Sequence, residues 1–207
     1  VHRKEYFSII THMDDQIGRI LKALKKSGQA DNTYIFFTAD HGLSVGHHGL
    51  IGKQNLYEHS TRVPFIITGP GIPKDRVIRD PIYLQDVMPT TLAIADFEKP
   101  KQVEFQNLLP LAKGIKVSSK HKEIYGAYLD AQRSITLDNK KLIVYPKAKA
   151  YRIYDLTEDP LEINDLVGSP KGDQLAQKLF PRLIQLQHQM EDTLDLKSVF
   201  PALFKKS

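Results

Sequence analysis

Residues 33–39, Thr-Tyr-Ile-Phe-Phe-Thr-Ala, form an unbroken run of apolar and β-favouring side chains. A run without polar alternation predicts a strand covered on both faces, as in a parallel sheet flanked by helices. A second such run, residues 63–68 (Val-Pro-Phe-Ile-Ile-Thr), ends in Gly69-Pro70-Gly71, a strong turn signal. Strands of this kind require helices to cover them, and the chain supplies candidates. Over residues 5–27, Tyr6, Ile9, Ile10, Met13, Ile17, Ile20, Leu21 and Leu24 recur at three- and four-residue steps, the stripe of a helix packed on one face. Lys25 and Lys26 suit its last turn and Gly28 its cap. Asp86 is placed to cap a further helix through Ala95, with Pro89 inside the tolerated first turn. The expected class is α/β: part of a mixed, mostly parallel sheet flanked by helices.

Beyond about residue 113 the pattern changes. Residues 123–129, 133–137, 142–145 and 151–156 read as short strands, with Asp138-Asn139 as a turn. A final helix over 172–194 carries Leu175, Leu179, Leu183, Leu186 and Met190 on one stripe. The expected organisation is residues 1–113 as part of a catalytic α/β domain and 114–207 as a small antiparallel α+β subdomain with a closing helix. A chain of 207 residues with 41% hydrophobic and 26% charged residues is neither disordered nor fibrous. No apolar run approaches ~18 residues, so no membrane span is expected. The opening residues, VHRKEYFSII, lack the apolar core of a signal peptide and read as the start of a helix. The chain has no cysteine, which excludes disulfides, thiolate metal sites and a cysteine nucleophile.

The formal net charge is +5, and the excess is local. Between Lys99 and Arg152 stand twelve basic and four acidic residues. Such a region attracts polyanions, or it is simply a solvated lysine-rich surface. A sulfated glycan is the polyanion retained as an expectation. Nucleic acid is not.

The chemistry is concentrated in Thr38-Ala-Asp-His-Gly-Leu-Ser-Val-Gly-His-His-Gly-Leu-Ile-Gly-Lys53. Asp40 and His41 fall just past the end of a predicted strand, where open α/β sheets bind ligands. Asp40 offers a hard oxygen suited to Ca²⁺ or Mg²⁺, whereas the imidazoles of His41, His47 and His48 suit transition metals. Lys53 adds a point charge able to clamp a tetrahedral anion.

The strings MDDQIGRIL, DNTYIFFTADHG and GHHGLIGKQNLYEHSTRVPFIITGPGI, followed by DVMPTTLAIAD and KLIVYPKAKAYRIYDLTEDPLEINDL, resemble the sulfatase family of the alkaline-phosphatase superfamily. The resemblance covers about residues 4–195, and its most specific part is the Gly-Lys thirteen residues after the Asp of TADHG. It implies that Asp40 and His41 are metal ligands, usually of Ca²⁺ with Mg²⁺ possible, although many members carry Asn where His41 stands. Lys53 matches the lysine that contacts the sulfate and the nucleophile. His48 matches a histidine common in the family's Gly-x-His-Gly loop and is read as catalytic. His47 stands where an acid is frequent and is read as substrate-binding. Tyr57, Glu58 and Arg62 look structural.

Complete members carry, in an amino-terminal half, a metal-binding aspartate pair and a Cys/Ser-x-Pro-x-Arg motif whose Cys or Ser becomes formylglycine. This chain has no cysteine and no Ser-x-Pro-x-Arg. The resemblance therefore implies the carboxyl-terminal half of a sulfuric ester hydrolase, contributing metal- and sulfate-binding residues without the nucleophile and inactive alone. Its expected partners are a sulfated small molecule or glycan as substrate, and the missing amino-terminal half or a companion chain. A periplasmic or secreted location is suggested by the resemblance only. The alternatives are a phosphoester or phosphonate hydrolase of the same superfamily, and a non-catalytic module binding anionic glycans.

Overall fold

The structure is a computed structural model and describes residues 2–116 and 118–203, the side chain of His2 excepted. In chain order the helices are α1 (His2–Lys26), α2 (Glu58–Thr61), α3 (Val87–Ile94), α4 (Leu109–Ala112), α5 (Pro170–Gln189) and α6 (Leu196–Val199). The strands are β1 (Ile35–Thr38), β2 (Ser44–Val45), β3 (Ile51–Gly52), β4 (Phe65–Thr68), β5 (Glu123–Tyr128), β6 (Gln132–Leu137), β7 (Lys140–Tyr145) and β8 (Ala150–Asp155). The class is α/β, as the sequence predicts. The chain forms two compact units. One comprises Val1–Lys53, Val63–Arg79 and Asp86–Ser118, and the other Gln54–Arg62, Asp80–Gln85 and Ser119–Ser207. No helix among the described residues is long and apolar enough to cross a membrane.

In the first unit the two unbroken runs pair with each other, as β1 and β4, but antiparallel, with Ile35 opposite Thr68 and Thr38 opposite Phe65. The parallel relation suggested by their composition does not hold between these two strands. Composition reports burial and not direction. Parallel neighbours need a crossover, usually a helix of several turns, whereas the only α-helix between β1 and β4 is the single-turn α2. Nor are both faces covered, since Phe37 and Ile66 are exposed. The stripe on α1 is likewise open: Ile9 and Ile20 are each more than 60% exposed. Asp86 does not cap α3 with its side chain. Its buried carboxylate instead accepts the Gln106 N–H at 2.8 Å, while Thr90 Oγ1 accepts the Leu108 N–H at 2.8 Å. These two bonds stitch residues 106–108 to α3.

The second unit is a four-stranded antiparallel meander, β5-β6-β7-β8. Asp138 and Asn139 both take positive φ, the conformation a tight two-residue hairpin requires. Ser169 Oγ caps α5 by accepting the Gly172 N–H at 3.0 Å, and Pro170 opens the helix. This start lies two residues before the predicted one. The helix ends at Gln189, and Met190, 44% exposed, is its carboxyl cap and not part of the buried stripe. Period-two alternation then gives the central strand β7 two different faces. Leu142 and Val144 join Leu179, Phe180 and Leu183 in the main core, while Ile143 packs with Leu56, Tyr57, Tyr154 and Leu156 in a smaller one.

Lys141 shares the face of Ile143, and it is 1% exposed. Its ammonium lies 2.8 Å from Glu58 Oε1 and 3.0 Å from Glu162 Oε1, and the Glu58 N–H donates to Glu162 Oε2 at 2.6 Å. Burial pushes the Glu162 carboxyl up, and the Lys141 charge only partly opposes it. A second, half-buried network holds Asp192 with Arg133 and Tyr125. Burial works to raise the Asp192 pKa, but the hydrogen bonds from Arg133 and Tyr125 outweigh it and hold the carboxyl well below the usual range. The stabilisation from that carboxylate is thus present above the ordinary Asp pKa and fades as pH falls below it.

An ion pair sealed from water is costly to break from one side, because the remaining charges stay buried. In urea denaturation, Lys141→Met should lower stability by about 3–5 kcal/mol. The triple variant with Glu58→Gln and Glu162→Gln should recover most of that loss. A loss below about 1 kcal/mol for the single variant would show that the amine is hydrated, like a surface pair.

Candidate active site

The thirteen-residue spacing between Asp40 and Lys53 acquires its meaning from a small hairpin. After β1 ends at Thr38, Asp40 and His41 precede β2, and Lys53 follows β3 directly. The pairs Ser44 with Gly52 and Val45 with Ile51 set the register. One further step along that register brings residue 53 back beside residue 43. The chain thereby returns Lys53 to His41, and Lys53 Nζ stands 2.6 Å from His41 Nε2. Asp40 Oδ2 lies 3.4 Å from the same nitrogen. Asp40 Oδ1 also accepts the His41 N–H at 3.0 Å, which fixes the carboxylate against the backbone.

His41 Nδ1 is 2.9 Å from the Gly42 carbonyl oxygen. A carbonyl only accepts, so Nδ1 carries the proton and donates it, which leaves a lone pair on Nε2. That lone pair accepts from the Lys53 ammonium. The base of the hairpin therefore sets two electron-pair donors, Asp40 Oδ2 and His41 Nε2, 3.4 Å apart, with the Lys53 ammonium on the second of them. Asp40 is largely open to solvent, with its side chain 82% exposed.

His47 and His48 are placed elsewhere on the hairpin. They occupy the 3₁₀ turn His47–Gly49 at its tip, where His48 has φ 52° and ψ 25° in the left-handed region. The Gly46 N–H donates to the Leu50 carbonyl at 2.9 Å, and the Leu50 N–H donates to the His47 carbonyl at 2.9 Å, closing the turn. The structure thus brings Asp40, His41 and Lys53 together at the base, and sets His47 and His48 at the tip. Asp14 and Asp15 lie on exposed stretches of α1.

The sulfatase family model matches residues 2–97. The uncharacterized sulfatase YidJ of Escherichia coli K12 is 31% identical over 198 residues, covering 92% of this chain and 39% of that protein. The N-acetylglucosamine-6-O-sulfatase of Bacteroides thetaiotaomicron is 30% identical over 203 residues, covering 92% of this chain and 36% of that protein. The chain belongs to the sulfatase family. Among solved structures, a protein in complex with its substrate D-glucosamine-2-N,6-O-disulfate superimposes with a TM-score of 0.76 at 28% identity, over 91% of this chain and 41% of that one. This sulfatase-family chain spans well under half the length of the relatives it matches.

Sulfatases imply a divalent cation, and the donor set can be tested against one. Two ligands at about 2.4 Å from a cation and at right angles to each other lie about 3.4 Å apart. Asp40 Oδ2 and His41 Nε2 have that separation, and each carries an electron pair on the donor atom, that of Nε2 now accepting from Lys53. His41 Nε2 already meets a cationic group, the Lys53 ammonium. The pair fits two positions of a coordination shell, the carboxylate being the hard ligand and the imidazole the softer one.

Sequence reasoning missed Arg3. Its Nε donates to the Val45 carbonyl at 2.9 Å, tying the first turn of α1 to the hairpin. An arginine in an amphipathic helix carries no signal of this bond. Sequence reasoning also missed Gln132, whose side-chain amide grips the segment that follows Lys53. Gln132 Nε2 donates to the Gln54 carbonyl at 3.3 Å, and the Leu56 N–H donates to Gln132 Oε1 at 3.2 Å.

The tautomer is directly measurable. In metal-free protein, long-range ¹H–¹⁵N correlation spectra of the neutral His41 ring should show the proton on Nδ1. A ring protonated on Nε2 would contradict the arrangement, because it would point a donor at Lys53.

Proposed function

We propose that this chain supplies the cation-binding and sulfate-contacting side of a sulfuric ester hydrolase site. The observation that carries the reading is the meeting of Lys53 Nζ, His41 Nε2 and Asp40 Oδ2 at the base of one hairpin. Asp40 and His41 are the proposed ligands of Ca²⁺, with Mg²⁺ as the substitute. When bound, the cation supplies Lewis acidity toward a sulfate oxygen. Lys53 is proposed to contact the sulfate group and to stabilise the charge that develops on it. To reach a sulfate, Lys53 exchanges its bond to His41 for one to the anion, and the freed lone pair on Nε2 becomes available to the cation. Gly42 keeps the imidazole in the required tautomer throughout. His48 is assigned a catalytic contact and His47 a substrate contact, both from the hairpin tip.

The remaining ligands and the formylglycine nucleophile are assigned to residues outside this chain, in an amino-terminal half or a companion chain. Two observations support that assignment. The chain matches 39% of the length of its E. coli relative, and the stripe of α1 bearing Ile9 and Ile20 is exposed. Within the family reading, residues 1–113 belong to the catalytic domain and 114–207 to the carboxyl-terminal subdomain. A sulfated sugar is the favoured substrate class, since one relative is named an N-acetylglucosamine-6-O-sulfatase and one solved relative holds a disulfated glucosamine.

The test is steady-state hydrolysis of 4-nitrophenyl sulfate by the full-length gene product, with and without a Ca²⁺ chelator. Turnover should depend on the cation, and Lys53→Ala should lower it by about 10²–10³ with the unfolding midpoint unchanged. Unchanged kinetics in Lys53→Ala would remove that residue from the site. A preference for the corresponding phenylphosphonate ester would move the reading to a phosphonate hydrolase.

A further inference from the structure

The structure divides the basic region between Lys99 and Arg152 into two kinds of cation. In the second unit most are matched with acids: Lys140 with Asp155, Lys141 with Glu58 and Glu162, Lys147 with Asp130, Arg133 with Asp192, and Arg152 with Asp165. In the first unit Lys113 and Lys116 have no ion pair among the described residues, and the same holds for Lys74, Arg76 and Arg79 on the loop after β4.

Two of these cations, Arg76 and Lys113, each lie across the other's segment. The Arg76 guanidinium lies so close over Gly114 that a Cβ there would require the guanidinium to move aside. The Lys113 side chain in turn lies over Gly71, with Cε 3.4 Å and Nζ 3.6 Å from where a Cβ would stand. Both glycines have positive φ, 77° and 73°. Each segment thus offers a bare backbone surface on which the other's cation rests. Ordering a long basic side chain costs up to about 1.5–2 kcal/mol of rotamer entropy. Here no carboxylate offsets that cost, and the one acid of the loop, Asp75, stands against five cations in the two segments. Lys74 and Lys116 flank the pair in sequence, and Val77 and Ile115 beside it are each 77% exposed.

We propose that the surface formed by residues 71–79 and 113–116 of the first unit is a docking site for a linear sulfated glycan, gripped by Arg76 and Lys113 with Lys74 and Lys116 at its margins. The choice of a glycan over other polyanions rests on the reading of the chain as a sulfatase. The surface refines the substrate class from a single sulfated sugar to a polymer bearing several sulfates. One exposed cation meeting one sulfate is worth little. Several pre-placed cations meeting a repeating polyanion gain together, and they release counterions as they do so.

The test is binding of a heparin-derived hexasaccharide to the full-length gene product by calorimetry at several salt concentrations. Arg76→Gln with Lys113→Gln should weaken binding about tenfold and reduce the slope of log K against log salt by about two. The control Lys147→Gln, whose lysine is already paired with Asp130, should bind as the parent does. Equal binding by the double variant would overturn the proposal, as would equal binding of the desulfated hexasaccharide. Lys74→Gln with Lys116→Gln leaves the glycine contacts untouched. It should also weaken binding, which separates lost charge from a disturbed loop. A DNA duplex of matched charge binding as tightly, with the same loss in the variant, would overturn the glycan assignment. Failure of the docking site would leave aryl sulfate turnover intact, whereas failure of the sulfatase reading would abolish turnover and leave docking measurable.

Discussion

The pairing of Ser44 with Gly52 and Val45 with Ile51 is a short stretch of sheet, yet the candidate site depends on it. Those two pairs convert a separation of thirteen residues into a contact of 2.6 Å between Lys53 and His41. A shift of one residue in the register would turn every side chain of β3 to the other face and carry Lys53 away from His41. Arg3 holds one strand of the hairpin from outside, through the Val45 carbonyl. The Gly42 carbonyl fixes the imidazole from within. The juxtaposition of Asp40, His41 and Lys53 is thus set by backbone pairing before any ligand is present.

A second constraint acts on the residues that follow Lys53. Segment 54–62 is held in the second unit by Gln132, by the Leu56 and Tyr57 contacts with Ile143, and by Glu58 on the buried amine of Lys141. The parity of β7 makes this possible. Lys141 and Ile143 point to one face, and Leu142 and Val144 point to the α5 face. A lysine as deeply buried as Lys141 is tolerated because two carboxylates meet it, and those carboxylates come from sequence positions 58 and 162, far from one another. The cluster ties α2 to β7 through Glu58, at a desolvation cost that an apolar core would avoid.

The legible parts of the sequence were those in which a local pattern decides the structure. The helix over α1, the four strands β5–β8 and the helix α5 were found within a few residues, because periodicity and turn residues such as Asp138-Asn139 act locally. Asp40, His41 and Lys53, singled out from one short segment and from the family resemblance, do lie together in the structure. The illegible parts depend on distant partners. Lys141 sits in a lysine pair after a turn and reads as solvent-facing; its burial follows from strand parity and from Glu162. The direction of β4 against β1 depends on the 26-residue connection and not on either strand's composition. The net basic count between Lys99 and Arg152 concealed that most of its second-unit cations are paired, whereas Lys113 and Lys116 have no ion pair among the described residues.

The central claim is that the Asp40–His41–Lys53 cluster is the meeting point of a cation and a sulfate. A crystal structure of the full-length gene product with Ca²⁺ and a sulfate ester tests this most directly. The account predicts a cation within about 2.3–2.6 Å of the Asp40 carboxylate, with His41 Nε2 in the same shell and Lys53 Nζ turned to a sulfate oxygen. A cation bound elsewhere, with Lys53 still bonded to His41 and the sulfate distant from both, would contradict it.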